Sequence, residues 1–149
     1  MKKIKIKKIR LEDLVPHEQF RKKHKAELHV QIKKDKVLMR PIVVHDIGRH
    51  RAGKYMIIDG HHRTQVLKKM GLTYVPAHVL NYFQSHIVVR SWKGNRVWDK
   101  EKIIRSALKG KLLKPKSTKH VFVKHGKEAP FQDNDHVEPL IKYRLSRLK

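Results

Sequence analysis

The segment from Tyr55 to Gly71 limits the possible folds of this chain most, because an apolar run, a short polar turn and a helical pattern follow one another directly in it. An apolar run over residues 55–58 ends at Asp59 and Gly60, and a helical pattern over 61–70 ends at Gly71. The run predicts a β-strand, and the final glycine is typical of a helix end. A strand that turns sharply into a helix brings backbone N–H groups and the positive end of the helix dipole together. The segment therefore predicts a phosphate-binding turn.

The residues of that turn are the strongest candidates for a functional site. Gly60 permits a sharp turn and the close approach of a ligand to the backbone. Arg63 offers a planar fork to phosphate oxygens, and His61 and His62 can donate hydrogen bonds. Adjacent histidines on a regular helix are poorly placed to hold one metal ion, for which positions i and i+4 are wanted. The alternative is that Asp59 only caps the helix and that the basic side chains are solvated or are satisfied structurally.

The charge balance predicts an anionic partner. The 149 residues include 37 lysines and arginines, 13 acidic residues and 12 histidines, and the formal net charge is +24. This excess favours nucleotides, nucleic acid or a membrane surface, without choosing among them. Histidines beside a phosphate would add positive charge below neutral pH.

The length and composition also limit the class of protein. We expect one domain, residues 1–149, with a sizeable core. The chain has no cysteine, which excludes disulfides and thiolate catalysis. No apolar run approaches the roughly 20 residues that cross a bilayer. We therefore expect a cytoplasmic protein without a membrane partner.

The order of elements predicts an α+β fold. Strands are expected at 2–10, 42–44, 55–58, 75–82, 87–92 and 121–123, and helices at 22–35, 61–70, 100–109 and 137–147. Asp99 is a plausible N-cap of the third helix, which Gly110 ends. The segment 124–136 has little pattern. This order indicates a compact domain with a small mixed sheet flanked by helices.

Two loops carry residues suited to phosphate chemistry. In the first, Pro16 precedes His17 and Glu18, and a glutamate in a proline-held loop suits a general base. The second loop could close over a phosphate from the opposite side, and its polar residues are Lys116, Ser117, Thr118, Lys119 and His120. The alternatives are an ordinary surface glutamate and an exposed basic loop.

Taken together, these segments resemble the ParB/sulfiredoxin-like superfamily. Its pattern is carried by residues 40–44, 55–63, 69–71 and 75–77. Within it the chain is similar to the free L-serine kinases, through residues 16–19, 82–92 and 114–121. Sulfiredoxins carry a cysteine beside the histidine and arginine, which this chain lacks. Chromosome-partitioning ParB proteins carry a DNA-reading helix-turn-helix after this domain, and the chain ends before one could fit.

The resemblance implies a phosphotransferase that moves a phosphoryl group from ADP or ATP to the hydroxyl of free L-serine. It implies that Glu18 is the catalytic base, that residues 59–63 and 116–119 hold the donor's phosphates, and that Asp59 contacts Mg²⁺. It also places Trp92, His120 and His17 at the amino-acid pocket, although by pattern alone Trp92 is an ordinary core residue. The alternative, favoured by the net charge and the kinship with ParB, is a DNA-binding protein or nuclease. A nucleotide-dependent regulator without turnover is a third.

Overall fold

The computed structural model describes residues 4–19, 31–92, 96–114, 117–132 and 134–149. Its strands are β1 (Ile6–Arg10), β2 (Leu14–Val15), β3 (Val37–Leu38), β4 (Ile42–Asp46), β5 (Tyr55–Asp59), β6 (Tyr74–Val79), β7 (Ile87–Arg90), β8 (Lys119–Lys124), β9 (Lys127–Pro130) and β10 (Tyr143–Arg144). The helices are α1 (His61–Lys69) and α2 (Lys100–Leu108), with short 3-10 helices at Leu11–Asp13 and Leu145–Leu148. Residues 31–35 are also helical.

The central element is a five-stranded mixed sheet in the order β1-β6-β4-β5-β2. Strand β6 pairs antiparallel with β1 and parallel with β4, and β5 pairs antiparallel with β4 and parallel with β2. Strands β7, β8 and β9 form an antiparallel sheet of their own, and β3 pairs with β10. This mixture of sheets with α1 and α2 confirms the predicted α+β fold.

Successive side chains of a strand point to opposite faces of its sheet. In the central sheet both faces are covered, each by one hydrophobic cluster. In β5, Ile57 packs in the cluster that contains Val66 and Leu67 of α1, whereas Met56 and Ile58 belong to the opposite cluster. That second cluster contains residues of α2, β7 and β8 and the buried Phe131. Burial on both faces explains why β4 and β5 read as continuous apolar runs. It also fixes where β5 ends and α1 begins.

The last part of the chain differs from the sequence prediction. A helix expected over 137–147 is wrong: β10 and a 3-10 helix lie there, and Pro139 and the positive φ of Lys142 (47°) interrupt any regular helix. The patternless segment 124–136 contains β9, which pairs with β8. The helix predicted over 22–35 lies largely outside the described residues, apart from helical residues 31–35.

The helix caps follow the sequence prediction more closely. Asp99 caps α2, because its side chain accepts a hydrogen bond from the backbone N–H of Glu101. Gly71 and Gly110 have positive φ values of 75° and 69° just after α1 and α2. Among the helices that the structure describes, none combines the length and the apolar character that crossing a bilayer would need.

Candidate active site

A cavity of about 600 Å³ lies where the end of β5, the loop after β2 and the start of β8 meet. Its polar wall is formed by Glu18, Asp59, Gly60, His61, His62, Arg63, Trp92, Thr118, Lys119 and His120. Its other end is largely apolar and is formed by Ile32, Val37, Leu38, Met39 and Leu140. The structure therefore brings together most of the residues that the sequence predicted. Ser117 and His17 do not line the cavity, and Lys116 lies outside the described residues.

The turn between β5 and α1 depends on Gly60. This residue is the N-cap of α1, has a φ of 109°, and provides no side chain to cap the helix. The alternative in which Asp59 caps α1 is therefore wrong. A Cβ atom at position 60 would lie only 2.5 Å from Cγ2 of Ile42, so only glycine fits between β4 and the cavity. The N-terminal end of α1 consequently faces the cavity without a side-chain cap.

Arg63 binds the protein's own acceptors. Its Nη1 donates to the carbonyl oxygens of Arg40 (3.3 Å) and Pro41 (2.7 Å). Its Nη2 donates to Asp59 Oδ2 (3.3 Å) and to Glu138 Oε1 (2.6 Å). The sequence predicted a fork for phosphate oxygens, whereas the structure shows both terminal nitrogens holding the turn to β4 and to residue 138. Arg63 still lines the cavity, but the hydrogen bonds described for its side chain position Asp59.

Glu138 is a site residue that the sequence reasoning missed. It is 1% exposed, it contacts Arg63, and its Oε2 has no hydrogen-bond partner among the residues that the structure describes. Burial raises the pKa of Glu138 to about 9. Burial opposes ionisation of Asp59 as well, but the hydrogen bond with Glu138 and the charge of Arg63 outweigh it and lower the pKa of Asp59. At neutral pH these shifts favour a protonated Glu138 beside an ionised Asp59.

His17 supports the site from behind. Its ring is fully buried, Nδ1 lies 2.7 Å from the carbonyl oxygen of Ile57, and Nε2 lies 3.2 Å from Thr118 Oγ1. The ring does not line the cavity, so the implied role of His17 in binding substrate stays a prediction that the buried position does not support. Its backbone N–H donates to His61 Nε2 at 3.2 Å, which places the proton of a neutral His61 on Nδ1.

Burial favours the neutral form of histidines 17, 61 and 120, and of these the sequence had offered His61 as a potential cation. Burial lowers the pKa of His17 to about 4 and that of His120 to about 3. Burial and the neighbouring His17 bring the pKa of His61 well below its ordinary value. His120 shares a 2.8 Å hydrogen bond with the buried hydroxyl of Tyr82, a partner that the sequence did not suggest. Positive charge at the cavity must therefore come from other residues.

Glu18 lies in the cavity wall on a loop that is fixed on both sides. The backbone of Leu113 donates to the carbonyl of His17 (2.9 Å) and accepts from the N–H of Gln19 (2.8 Å). Oε2 of Glu18 accepts a 2.8 Å hydrogen bond from Thr118 Oγ1. The glutamate side chain is 14% exposed, so it is held but can be reached from the cavity.

Trp92 and Lys119 both line the cavity, and the lysine lies over the ring of the tryptophan. Trp92 is 53% exposed rather than in the core, and its Nε1 donates to the carbonyl of Thr118 at 3.2 Å. The Nζ of Lys119 lies 5.1 Å from the centre of the Trp92 ring. Ser117 turns away, because its hydroxyl donates to the carbonyl of Lys114 at 2.6 Å.

The residues fit a Mg²⁺ ion only in one limited way. No group of three or more carboxylates or histidines suited to a metal occurs among the residues that the structure describes. The Asp59 side chain is 36% exposed and lies at the cavity. Mg²⁺ is often held by one or two carboxylates together with substrate phosphates, and Asp59 suits that arrangement.

Comparison with known proteins places this geometry in a family. Residues 1–93 match the ParB N-terminal domain. An ATP-dependent L-serine kinase from Staphylothermus marinus is 32% identical over 84 residues, which cover 56% of this chain and 32% of that protein. An ADP-dependent L-serine kinase from Thermococcus kodakarensis is 29% identical over 84 residues, which cover 56% of this chain and 34% of that protein. The matched regions thus span about a third of the length of these curated relatives.

Solved structures show the same fold over nearly the whole chain. A free serine kinase in complex with AMP superposes with a TM-score of 0.79 at 16% identity, covering 99% of this chain and 95% of that one. SbnI with a C-terminal truncation, from Staphylococcus aureus, gives a TM-score of 0.66 at 14% identity and covers 88% of this chain and 91% of that one. At these identities the likeness establishes the fold. Because the family match covers more than half of its residues, the chain belongs to the ParB N-terminal domain family.

Proposed function

We propose that this protein is a phosphotransferase that moves a phosphoryl group from ADP or ATP to the hydroxyl of free L-serine. The observation that carries the proposal is that one cavity contains both the uncapped N-terminal end of α1 and the carboxylate of Glu18. The first feature suits an anionic phosphate, and the second suits an acceptor alcohol that must lose a proton. The L-serine kinases among the relatives and the kinases of the same fold that bind AMP or ADP support this choice.

The donor's phosphates rest on the backbone of Gly60, His61 and His62. Lys119 faces them from β8 and supplies a positive charge, and Lys116, beyond the described residues, is assigned to the same task from the sequence. Arg63 acts on the phosphates by holding Asp59 and the turn in place. Positioning and charge neutralisation of this kind supply most of the catalysis in phosphoryl transfer.

The acceptor serine lies between Glu18 and Trp92. Glu18 takes the proton of the hydroxyl as its oxygen forms a bond to phosphorus, and the bond from that phosphorus to the departing nucleotide breaks. The leaving group is AMP when ADP is the donor and ADP when ATP is. His120 and Lys119 line the same part of the cavity and suit the polar ends of an amino acid. A bound Mg²⁺, with Asp59 as its protein contact, would neutralise phosphate charge.

The test is the substitution Glu18→Gln, which keeps the shape of the side chain and its hydrogen bond to Thr118. We expect O-phosphoserine formation to fall by roughly 10²–10⁴-fold, because the base is lost. Nucleotide affinity, measured by calorimetry, should change far less than turnover, because the substitution leaves the backbone of the α1 turn, which is proposed to hold the phosphates, unaltered. Glu12→Gln is the matched control, since that carboxylate is 69% exposed and lies outside the cavity. Unchanged turnover in Glu18→Gln would remove Glu18 from this role.

The second candidate function is binding or cleavage of nucleic acid, which the net charge of +24 favours. The same preparation distinguishes the two. Incubation with ADP or ATP, Mg²⁺ and serine tests for O-phosphoserine, and a duplex DNA titration at rising salt tests for the alternative. Tight DNA binding that weakens steeply with salt, without any phosphoserine, would favour the nucleic-acid function.

A further inference from the structure

One hydroxyl group in the cavity wall lies between two acceptors. Oγ1 of Thr118 is 2.8 Å from Oε2 of Glu18 and 3.2 Å from Nε2 of His17. Thr118 is 7% exposed, and the His17 side chain is 1% exposed, so water has little access to this chain of three groups. The contacts join the start of β8 to the loop after β2 across about a hundred residues of sequence.

The geometry fixes the protonation of His17. Its Nδ1 lies 2.7 Å from the carbonyl oxygen of Ile57, and because a carbonyl oxygen can only accept, Nδ1 must carry the ring proton. Burial keeps the ring neutral, since it lowers the pKa of His17 to about 4. Nε2 therefore has a free lone pair at neutral pH and can only accept from Thr118.

An ionised Glu18 can likewise only accept, so two acceptors compete for one hydroxyl proton. While Glu18 is charged it is the nearer and stronger acceptor, and the proton of Thr118 points to it. Once Glu18 is protonated, the hydroxyl can rotate to donate to His17 Nε2, and the new carboxyl proton can be donated to Thr118 Oγ1. The side chains of Glu18, Thr118 and His17 then each have a hydrogen-bond partner, and no proton is transferred to His17.

We propose that Thr118 is a positioning residue whose hydroxyl switches from Glu18 to His17 when Glu18 takes up the proton of the acceptor alcohol. This inference rests on the proposed kinase function. The hydrogen bond to charged Glu18 keeps the carboxylate ionised and aimed before the reaction, and His17 provides the second acceptor that frees the hydroxyl afterwards. The three residues therefore set the pH at which the base becomes active.

Other charged groups also lie at the cavity. Among the residues that the structure describes, the titratable and charged groups that line it with Glu18 are Asp35, Arg40, Asp59, His61, His62, Arg63, Lys119, His120 and Glu138. The described hydrogen bonds join Thr118 Oγ1 to Glu18 and His17, while Trp92 bonds only to the carbonyl of Thr118. A change confined to the hydroxyl at position 118 leaves all of these charges in place.

The first experiment compares Thr118→Val, which removes the hydroxyl at nearly constant shape, with Thr118→Ser, which keeps it. The readout is kcat/KM for O-phosphoserine formation across pH. We expect the acidic limb of the Thr118→Val profile to move upward by about one pH unit, because ionised Glu18 loses its donor. Thr118→Ser should restore the limb to within a few tenths of a unit. If Thr118→Val keeps the acidic limb of the wild type and changes only KM, the proposal is overturned and Thr118 is a substrate contact instead.

The second experiment needs no catalysis, so it separates this inference from the proposed function. The ¹³C signal of the Glu18 carboxyl and the ¹⁵N signal of His17 Nε2 are followed by NMR through the Glu18 titration. We expect the two signals to move with one midpoint in the wild type and in Thr118→Ser, and to become uncoupled in Thr118→Val. A His17 signal that ignores the Glu18 titration in the wild type refutes the switch. A coupled titration in a protein that forms no phosphoserine would refute the kinase instead.

Discussion

Replacing Gly60 by alanine tests the turn on which the site is built. Gly60 has a φ of 109°, and an added Cβ would lie 2.5 Å from Cγ2 and 2.8 Å from Cβ of Ile42. Ordinary contacts at such a position begin near 3.4 Å. Ile42 is fully buried in the cluster that α1 packs against, so it has no open space in which to withdraw. The substitution therefore introduces backbone strain and a steric overlap at once.

The two costs can be estimated separately. An L residue in a sparsely populated positive-φ conformation costs about 1–3 kcal/mol, and overpacking a tight core typically costs another 1–3 kcal/mol. Replacing glycine by alanine also restricts the unfolded chain, which offsets about 0.4–1 kcal/mol. We expect Gly60→Ala to lower the free energy of unfolding by roughly 3 kcal/mol, a large part of the 5–15 kcal/mol typical of a domain.

Gly71→Ala is the matched control, because Gly71 has a φ of 75° and no heavy atom within 4 Å of an added Cβ. It carries the backbone strain without the overlap, so we expect a loss of about 1 kcal/mol. Urea unfolding at pH 7 measures both variants, and a double-mutant cycle with Ile42→Ala should show favourable coupling with Gly60→Ala. Equal losses in the two glycine variants, or no coupling to Ile42, would refute the steric argument.

The remaining predictions concern the buried histidines and Arg63. The free energy of unfolding should fall as pH drops from 6.5 towards 4, because the unfolded state takes up protons that buried neutral His17 and His120 refuse. Each histidine contributes a slope of about 1.4 kcal/mol per pH unit to the free energy of unfolding. In urea unfolding across this range, the slope for His120→Gln should therefore be smaller by the contribution of one histidine. Arg63→Lys should cost roughly 2 kcal/mol in the same assay, since an ammonium cannot serve four acceptors, whereas the exposed Arg10→Lys should cost less than about 0.5 kcal/mol. A small loss in Arg63→Lys with a much weakened nucleotide affinity would instead support the phosphate fork.

The elements that the sequence predicted well are those determined by local residue order. The strand before Gly60, the helix after it and the Asp99 cap each depend on neighbours within a few residues. The strand-to-helix turn at Gly60 could therefore be predicted without knowledge of the rest of the fold. That residues 1–149 form a single domain stays a prediction.

The elements that the sequence missed depend on distant partners. Strands β2, β3 and β10 are two residues long and form only because β5 lies beside the first and because the other two pair with each other. Such short segments carry no periodicity of their own. The helix expected over 137–147 does not form, because Pro139 and the positive φ of Lys142 interrupt it and because residues 143–144 pair with β3.

The site divides in the same way. Its residue types were visible in the sequence, whereas their hydrogen-bond partners were not. The contact between Glu18 and Thr118 spans a hundred residues, and Glu138 lies in a segment that was misread as helix. The potential positive charge of His61 is disfavoured because burial, which no local pattern reports, lowers its pKa, as it also lowers the pKa values of His17 and His120.

This outcome changes what the net charge of +24 can mean for function. Lysines such as Lys5, Lys7 and Lys8 are exposed, whereas the described lining of the cavity combines carboxylates and buried histidines with Arg63 and Lys119. Surface charge raises the local concentration of any polyanion and the rate at which it arrives, but it does so without selecting among them. Selection requires donors that a small phosphate can reach and a base beside them. In the proposed function these two requirements are met at the cavity that Gly60 and Glu18 line, so a salt dependence seen for DNA would report on the surface and leave the chemistry of the cavity to be tested separately.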